Sequence, residues 1–374
     1  MMNEELRLFE EEDMLDDSSL DNSAISSPFS TKDIKVNTQT IALSSLVNRL
    51  KYNEIDLQPR FQRKGDLWTN TQMSRLIESI LLKMPLPIFY FDVSDSDKWL
   101  VVDGLQRLST IKRFAVDKSL KLTNMEFLSD FNSFTFDDLP RPMQRVIEET
   151  QIVTYQIEPQ TPKEVRYSIF NRINTGGLKL NTQEIRQALN QKGIAVDFLE
   201  SVCEEPVFKK VVNLKTDRML DRELALRFFA FRILPVDENF KNLSSFLDRA
   251  IEKIDENKVE TQYLKKLSSE LMDSLLLSEK LLGENHKFSR SIVGEGTKTL
   301  NRSLFDVITV SLSLAKNPKK LLDNKDRFVV ELKNAMNDEN SNFAQAIYQG
   351  TGSRRAVYDR FEFMTKLIEL IENI

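Results

Sequence analysis

The sequence predicts an α+β domain followed by an all-helical domain, and three patterns indicate this order. Short apolar runs bounded by polar turns are typical of strands, and they occur only before Pro162. Apolar residues at helical spacing then continue to the end of the chain. An acidic segment precedes both. We therefore expect an acidic disordered tail over residues 1–36, an α+β domain over 37–160 and a helical domain over 161–374.

Strands and helices alternate in the predicted α+β domain. Thr69 or Thr71 is expected to cap the second helix, and Pro85 follows its end. Pro140 and Pro142 open a further short helix. The predicted strands are 35–43, 88–93, 98–102 and 151–157, and the predicted helices are 44–51, 69–84, 104–116 and 144–149.

The predicted helical domain consists of amphipathic segments with short polar connections. Its predicted helices are 163–173, 182–191, 221–234, 239–256, 261–282, 297–315, 319–337, 340–348 and 354–374. No run of 18 apolar residues is present, so we expect no membrane-spanning helix.

Charge is distributed unevenly along the 374 residues. The net charge is −5, but residues 1–22 carry −8, which leaves +3 on the rest of the chain. A mildly basic body permits contact with phosphate groups without requiring it. The acidic start argues against a signal peptide, and the single cysteine, Cys203, fits a reducing compartment. We therefore expect a cytoplasmic protein.

The chain contains one histidine, which excludes several hydrolase classes. A His-Asn-His nuclease, a Ser-His-Asp triad and a zinc hydrolase each need histidine beside specific partners. His286 lies in the polar sequence Gly-Glu-Asn-His-Lys, and we interpret it as a surface residue.

The most informative segment is the predicted strand-to-helix junction at residues 103–107. Asp103, Gly104, Gln106 and Arg107 place a carboxylate, an amide and a guanidinium at the start of a helix. The unpaired N–H groups of a helix start suit an anion, and Gly104 would allow a ligand to approach the backbone closely. Ser109 and Thr110 follow on the same helix. Asp103 could alternatively act only as a helix cap.

Two further segments are polar within apolar surroundings. Residues 59–68 include Gln62, Arg63 and Trp68, and residues 170–186 include a second set of polar and glycine residues. That second set is Asn171, Arg172, Asn174, Thr175, Gly176, Gly177 and Arg186. Because a guanidinium matches phosphate oxygens, arginines from three segments predict a phosphate ligand if they meet.

Each of these residues also has a structural interpretation. Gly176 and Gly177 could form a helix C-cap instead of an anion nest. Asn181 and Glu184 fit a capping box, which favours a structural role for Glu184. Trp68 is expected to pack against the core or a lid rather than stack on a base.

Together these segments resemble the N-terminal domain of GmrSD-type, modification-dependent restriction proteins of the ParB/sulfiredoxin-like NTPase group. The family motif Asp-Gly-Gln-Gln-Arg corresponds to residues 103–107, although Leu105 replaces its first glutamine. The Pro-x-Phe-Gln-Arg…Trp signature corresponds to residues 59–68, and Phe-x-Arg-Ile-Asn-Thr-Gly-Gly to residues 170–177. The resemblance covers about residues 37–374 and is specific, because several motifs occur in the same order.

The resemblance implies a ParB-like fold, with a small mixed sheet and helices, over residues 37–160. It also implies binding and hydrolysis of a nucleoside triphosphate coupled to restriction of foreign DNA. Asp103, Gln106 and Arg107 would be catalytic, with Asp103 positioning Mg²⁺. The other residues expected to bind the nucleotide are Gln62, Arg63, Gly104, Ser109, Thr110, Asn171, Arg172, Asn174, Thr175, Gly176, Gly177 and Arg186.

Two departures from the family pattern leave more than one function possible for this chain. Leu105 is expected to pack inward beside Leu108. Because it replaces a motif glutamine, the sequence does not decide whether the bound nucleotide is hydrolysed. The usual His-Asn-His nuclease domain is expected to be missing. The leading hypothesis is therefore a regulatory NTPase of a restriction or anti-phage system. The alternatives are a nucleotide- or DNA-binding switch without turnover, and an adaptor for a separate nuclease subunit; an oligomer is compatible with each.

Overall fold

The chain forms two compact units in a computed structural model. The α+β unit ends at Leu189 and the helical unit begins at Asn190. The structure describes residues 34–57, 68–173, 181–190, 193–214, 219–284, 286, 288–294 and 299–374. The predicted order, a small mixed sheet with helices and then an all-helical region, is confirmed.

Five strands form one mixed sheet in the α+β unit. They are β1 (Val36–Ala42), β2 (Ile55–Asp56), β3 (Phe89–Asp92), β4 (Trp99–Asp103) and β5 (Gln151–Ile157). Their order is β1-β5-β3-β4-β2. The pairs β1–β5 and β3–β4 are antiparallel, whereas β5–β3 and β4–β2 are parallel. Four of these strands were predicted; β2, with two residues, is too short for an alternating pattern.

Four helices accompany the sheet on its core face. They are α1 (Leu43–Lys51), α2 (Asn70–Leu81), α3 (Leu105–Ile111) and α4 (Arg141–Glu149), and a π turn, Lys112–Val116, continues α3. Their apolar sides join the fully buried Phe89 and Phe91 in one hydrophobic core. Burial of these side chains at about 25 cal/mol per Å² is the main term stabilising this unit.

Two reciprocal hydrogen bonds define the start of α2. Thr69 accepts a hydrogen bond from the backbone N–H of Gln72, whose side chain in turn bonds to the N–H of Thr69. This capping box selects Thr69 over Thr71 as the first residue before the helix. The helix ends at Leu81, three residues before the predicted end.

The α+β unit ends with two further helices, α5 (Lys163–Ile173) and α6 (Thr182–Leu189). The backbone N–H of Asn181 donates to Glu184 at 2.6 Å, and the N–H of Glu184 donates to Asn181 Oδ1 at 2.8 Å. The predicted capping box is therefore confirmed, and Glu184 has a structural role.

The described part of the helical unit contains ten α-helices. They are α7 (Ile194–Glu204), α8 (Pro206–Val212), α9 (Leu220–Ile233), α10 (Leu243–Asp255), α11 (Thr261–Leu282), α12 (Arg302–Ser313), α13 (Pro318–Asp323), α14 (Lys325–Asn337), α15 (Asn342–Tyr348) and α16 (Arg354–Glu372). The prediction missed α7 and α8 and merged α13 with α14. No described helix is long and apolar enough to cross a membrane.

A charged cluster lies inside the helical unit. Arg227 donates from Nε to Asp306 Oδ1 at 2.9 Å and from Nη2 to Asp306 Oδ2 at 2.9 Å. Arg360 reaches the same carboxylate at 3.4 Å, and all three side chains are buried. A carboxylate held between two guanidinium groups compensates charges that would otherwise be costly to bury.

His286 is buried, so its interpretation as a surface residue is wrong. Its Nδ1 accepts a hydrogen bond from the N–H of Phe288 at 3.0 Å, and its Nε2 lies 3.4 Å from the hydroxyl of Ser278. Since that hydroxyl already donates to Leu275, it is the acceptor for Nε2–H. Burial lowers the pKa of His286 to about 4. Its polar sequence neighbours predict exposure, whereas the ring packs against Phe288 and lies beside Ser278.

Candidate functional site

The candidate site is built around the turn between β4 and α3. Gly104 forms this turn with φ of +103°, a conformation that favours glycine. A Cβ at this position would lie 2.6 Å from Cδ1 of Phe89. The structure thus gives Gly104 a packing reason in addition to the predicted approach of a ligand: the backbone passes directly against the aromatic core.

Arg107 is fixed by contacts on several sides. Its Nη2 donates to Asp103 Oδ2 at 2.8 Å and to the carbonyl of Ile88 at 3.2 Å, and its Nη1 donates to the carbonyl of Pro87. The guanidinium carbon also lies 4.4 Å from the ring centroid of Phe89. Burial lowers the pKa of Arg107, and the Asp103 carboxylate opposes that shift.

Asp103 is the half-exposed member of this pair. Its side chain keeps 42% of its surface accessible, against 10% for Arg107. The buried guanidinium therefore orients a carboxylate that can still meet a ligand. Arg107 acts at this site by positioning Asp103 and by closing the turn onto residues 87–88.

Gln106 connects the turn to the second signature segment. Its Oε1 accepts a hydrogen bond from the backbone N–H of Trp68 at 3.1 Å. Trp68 is partly buried and packs against the core, as predicted. Gln62 and Arg63 lie outside the described residues.

The remaining residues of α3 have local roles. Thr110 is buried, and its hydroxyl donates to the carbonyl of Gln106 at 2.8 Å. Ser109 is partly buried. Leu105 packs against the core with Leu108, so its predicted inward orientation is confirmed.

The third segment is described in part. Asn171 is partly buried and Arg172 is exposed in the last turn of α5. Arg186 is buried in α6 and donates to Gln183 at 2.8 Å. Asn174, Thr175, Gly176 and Gly177 lie outside the described residues. The structure therefore links Arg107 to Asp103 and Trp68 to Gln106 by hydrogen bonds, and it leaves Arg172 exposed and Arg186 buried.

Two tyrosines beside Asp103 were not found by sequence reasoning. Tyr90 on β3 is in register with Asp103 on β4 and with Tyr155 on β5. The two rings have centroids 5.1 Å apart. Burial raises the pKa of Tyr90, and Tyr155 and the Asp103 carboxylate add to the shift. We call Asp103, Tyr90 and Tyr155 the Asp-Tyr-Tyr row.

Helix α5 lies over the sheet face that carries Tyr90. Asp92 follows Tyr90 by two residues on β3, so both side chains point to the same face. Arg166 of α5 donates to Asp92 Oδ2 at 3.4 Å and to the hydroxyl of Ser94 at 2.6 Å. We call this face the α5 face; it is opposite to the core face with Phe89 and Phe91.

The side chains around the turn can be compared with those that a Mg²⁺ site needs. Among the described residues, no group of three or more His, Cys, Asp or Glu side chains could hold a metal ion. Asp103 is a single half-exposed carboxylate. That arrangement fits Mg²⁺ carried largely by phosphate oxygens and water, with one or two protein carboxylates.

One known domain family is similar to the α+β unit. The family described as "GmrSD restriction endonuclease, N-terminal domain" matches residues 43–190. This match supports a GmrSD-type N-terminal domain in that part of the chain and suggests a component of a restriction system. No curated protein and no solved structure matches the chain significantly.

Proposed function

We propose that the α+β unit binds and hydrolyses a nucleoside triphosphate and acts as the regulatory NTPase of a restriction system. The single observation that carries this is the half-exposed Asp103 carboxylate, oriented by the buried Arg107 at a strand-to-helix turn. The match of residues 43–190 to a restriction-endonuclease domain supports the biological setting.

The proposed mechanism assigns separate tasks to fixed and exposed groups. Asp103 would orient the attacking water or would hold Mg²⁺ bound with the triphosphate at the turn. Gln106 fixes the backbone at Trp68 by accepting its N–H. Arg172, exposed in the last turn of α5, is a cation available to the phosphoryl group. When bound, Mg²⁺ supplies neutralisation of charge on the phosphate oxygens.

Arg107 has a different task from the other arginines in this scheme. Three of its N–H groups already bond to Pro87, Ile88 and Asp103. Its contribution to rate is the orientation of Asp103, because preorganised electrostatics accounts for much of phosphoryl-transfer catalysis. The remaining proposed phosphate ligands, including Ser109, Thr110 and Arg186, contribute less because Thr110 and Arg186 are buried.

The test is a panel of nucleoside triphosphates with Mg²⁺, read by thermal shift and by phosphate release in parallel. A ligand that binds the native state raises the melting temperature. We expect one or more triphosphates to do so and to be hydrolysed, and Arg172→Ala to lower turnover by tenfold or more. Arg141→Ala, which removes an exposed arginine of α4 from its pair with Glu148, is the matched control. Absence of binding by the wild-type protein would refute the proposal.

A second candidate is a nucleotide-binding switch without turnover. Leu105 favours it, because a leucine packed against the core stands where the family motif has glutamine. Melting-temperature shifts without phosphate release would select this function. Retention of a nuclease or of DNA by the protein, without any response to triphosphates, would instead select an adaptor.

A further inference from the structure

We propose that Tyr90 and Tyr155 form a stacking platform for the nucleobase of the bound nucleotide. This inference rests on the proposed nucleotide binding and adds to it the position of the base. It comes from the Asp-Tyr-Tyr row, which runs across three neighbouring strands from the phosphate end of the site.

The register of the sheet puts the three side chains in line. Tyr90 stands opposite Asp103 in the antiparallel pair, and opposite Tyr155 in the parallel pair. Neighbouring strands are about 4.8 Å apart, so Tyr155 lies about 10 Å from the Asp103 strand. A ribose and its first phosphate can bridge that span if the terminal phosphates are at Asp103.

The two rings are outside the hydrophobic core. Phe89 and Phe91, their neighbours on β3, are fully buried in that core, whereas Tyr90 and Tyr155 are partly buried and belong to neither described core cluster. Because alternate residues of a strand face opposite sides, the tyrosines lie on the α5 face. Both rings keep part of their surface accessible on that face.

The surroundings of the pair suit a neutral aromatic ligand. Val153, two residues before Tyr155 on the same face of β5, is exposed, and Thr38 of β1 stands opposite Tyr155. The row changes from charged at Asp103 to aromatic at Tyr90 and Tyr155, and then to uncharged at Thr38. This order of charged, aromatic and uncharged side chains matches a nucleotide, which has phosphate at one end and a flat base at the other.

Stacking on an aromatic side chain tolerates every base, since each base has a π-face. The platform therefore predicts affinity for the base without strong selection of its identity. The phenol of Tyr90 keeps its proton at neutral pH, because burial and the neighbouring Asp103 raise its pKa. The platform thus adds no negative charge beside the phosphates.

The test compares a nucleoside triphosphate with inorganic tripolyphosphate, both with Mg²⁺, by calorimetry on the full chain. We expect Tyr155→Leu to raise the Kd of the nucleotide by about tenfold, and to leave the Kd of tripolyphosphate unchanged. Tyr155→Phe keeps the ring and is expected to keep the affinity. Tyr52→Leu, at a tyrosine that is 69% exposed in the same unit, is the matched control.

The outcomes separate this inference from the proposed function. If wild type binds the nucleotide and Tyr155→Leu and Tyr90→Leu bind it equally well, the platform is refuted and nucleotide binding stands. If the tyrosine variants lose single-stranded DNA instead, with nucleotide affinity unchanged, the platform is likewise refuted. If wild type binds neither triphosphate compound, both proposals fail. Equal melting temperatures of Tyr155→Phe and wild type check the fold.

Discussion

The Nη2 atom of Arg107 lies 2.8 Å from Oδ2 of Asp103, and the two residues are four positions apart across a strand-to-helix turn. The arginine is buried, and its remaining bonds go to the backbone of residues 87–88. The acid remains half exposed. Because Arg107 makes these internal bonds, a substitution at this position is expected to change the stability of the fold as well as the activity of the site.

We expect Arg107→Ala to lower the free energy of unfolding by roughly 2–4 kcal/mol, because it leaves two carbonyls and one carboxylate without their charged donor. Urea denaturation measures this loss. Arg107→Lys is expected to recover part of it, since an ammonium cannot reproduce the planar fork. Unchanged stability in Arg107→Ala would contradict the positioning role. Loss of turnover in that variant alone cannot identify a catalytic residue.

Gly104→Ala tests the close packing of the turn. The added Cβ meets Phe89 at 2.6 Å and φ is +103°, so we expect a loss of roughly 2–4 kcal/mol. Gly294→Ala is the matched control, because its φ is +86° and no atom lies within 4 Å of the added Cβ. The difference between the two variants in urea denaturation isolates the contact with Phe89. Equal losses would mean that backbone strain alone explains the glycine.

The buried His286 predicts a pH dependence of stability. Its pKa is lowered from 6.5 to about 4 in the folded chain, so the unfolded chain binds the proton first as pH falls. The neutral ring contributes its full stability above pH 6.5, and this contribution is lost progressively down to about pH 4. The loss should be on the order of 3 kcal/mol across this window.

Urea denaturation at pH 7 and at pH 4.5 measures the effect, and His286→Gln is the comparison because it cannot take up the proton. The difference between wild type and variant removes the shared contribution of carboxylates. A variant with the same pH slope as wild type would show that His286 does not titrate in this range.

The charged cluster of the helical unit predicts a large effect from one substitution. Asp306→Ala removes the carboxylate that the buried Arg227 and Arg360 share, although Arg227 keeps its ion pair with Glu223. We expect a loss of about 3–5 kcal/mol in the free energy of unfolding, measured by urea denaturation. Glu204→Gln, which removes an exposed partner of Lys209, is the control and is expected to change little. A small effect of Asp306→Ala would mean that water or rearrangement compensates the arginines.

Much of the architecture followed from local patterns. The strand at residues 151–157 and the helix at 163–173 have the predicted bounds, because apolar spacing and flanking prolines define them. Helices α7 and α8 were missed although Ala195, Leu199 and Val202 are helically spaced. That signal was present in the sequence, and Pro206 marks the start of α8.

The sequence predicts which residues form the motif of the site, but it does not predict the contacts that they make. Asp103, Gln106 and Arg107 stand at the expected junction, yet the bonds of Arg107 to residues 87–88 depend on the tertiary fold. The pairing of Tyr90 with Tyr155 depends on strand register across 65 positions of sequence. The polar sequence neighbours of His286 predict a surface position, whereas its burial depends on tertiary contacts with Ser278 and Phe288.

The most direct test of the central claim is the rate of phosphate release with Mg²⁺ and a nucleoside triphosphate in wild type and in Asp103→Asn. Asparagine keeps the shape of the side chain but removes the charge that the site uses. We predict hydrolysis by wild type, at least tenfold slower hydrolysis by Asp103→Asn with a comparable melting temperature, and normal hydrolysis by Asp137→Asn, an exposed acid of the same unit. Equal rates in wild type and Asp103→Asn would contradict the account.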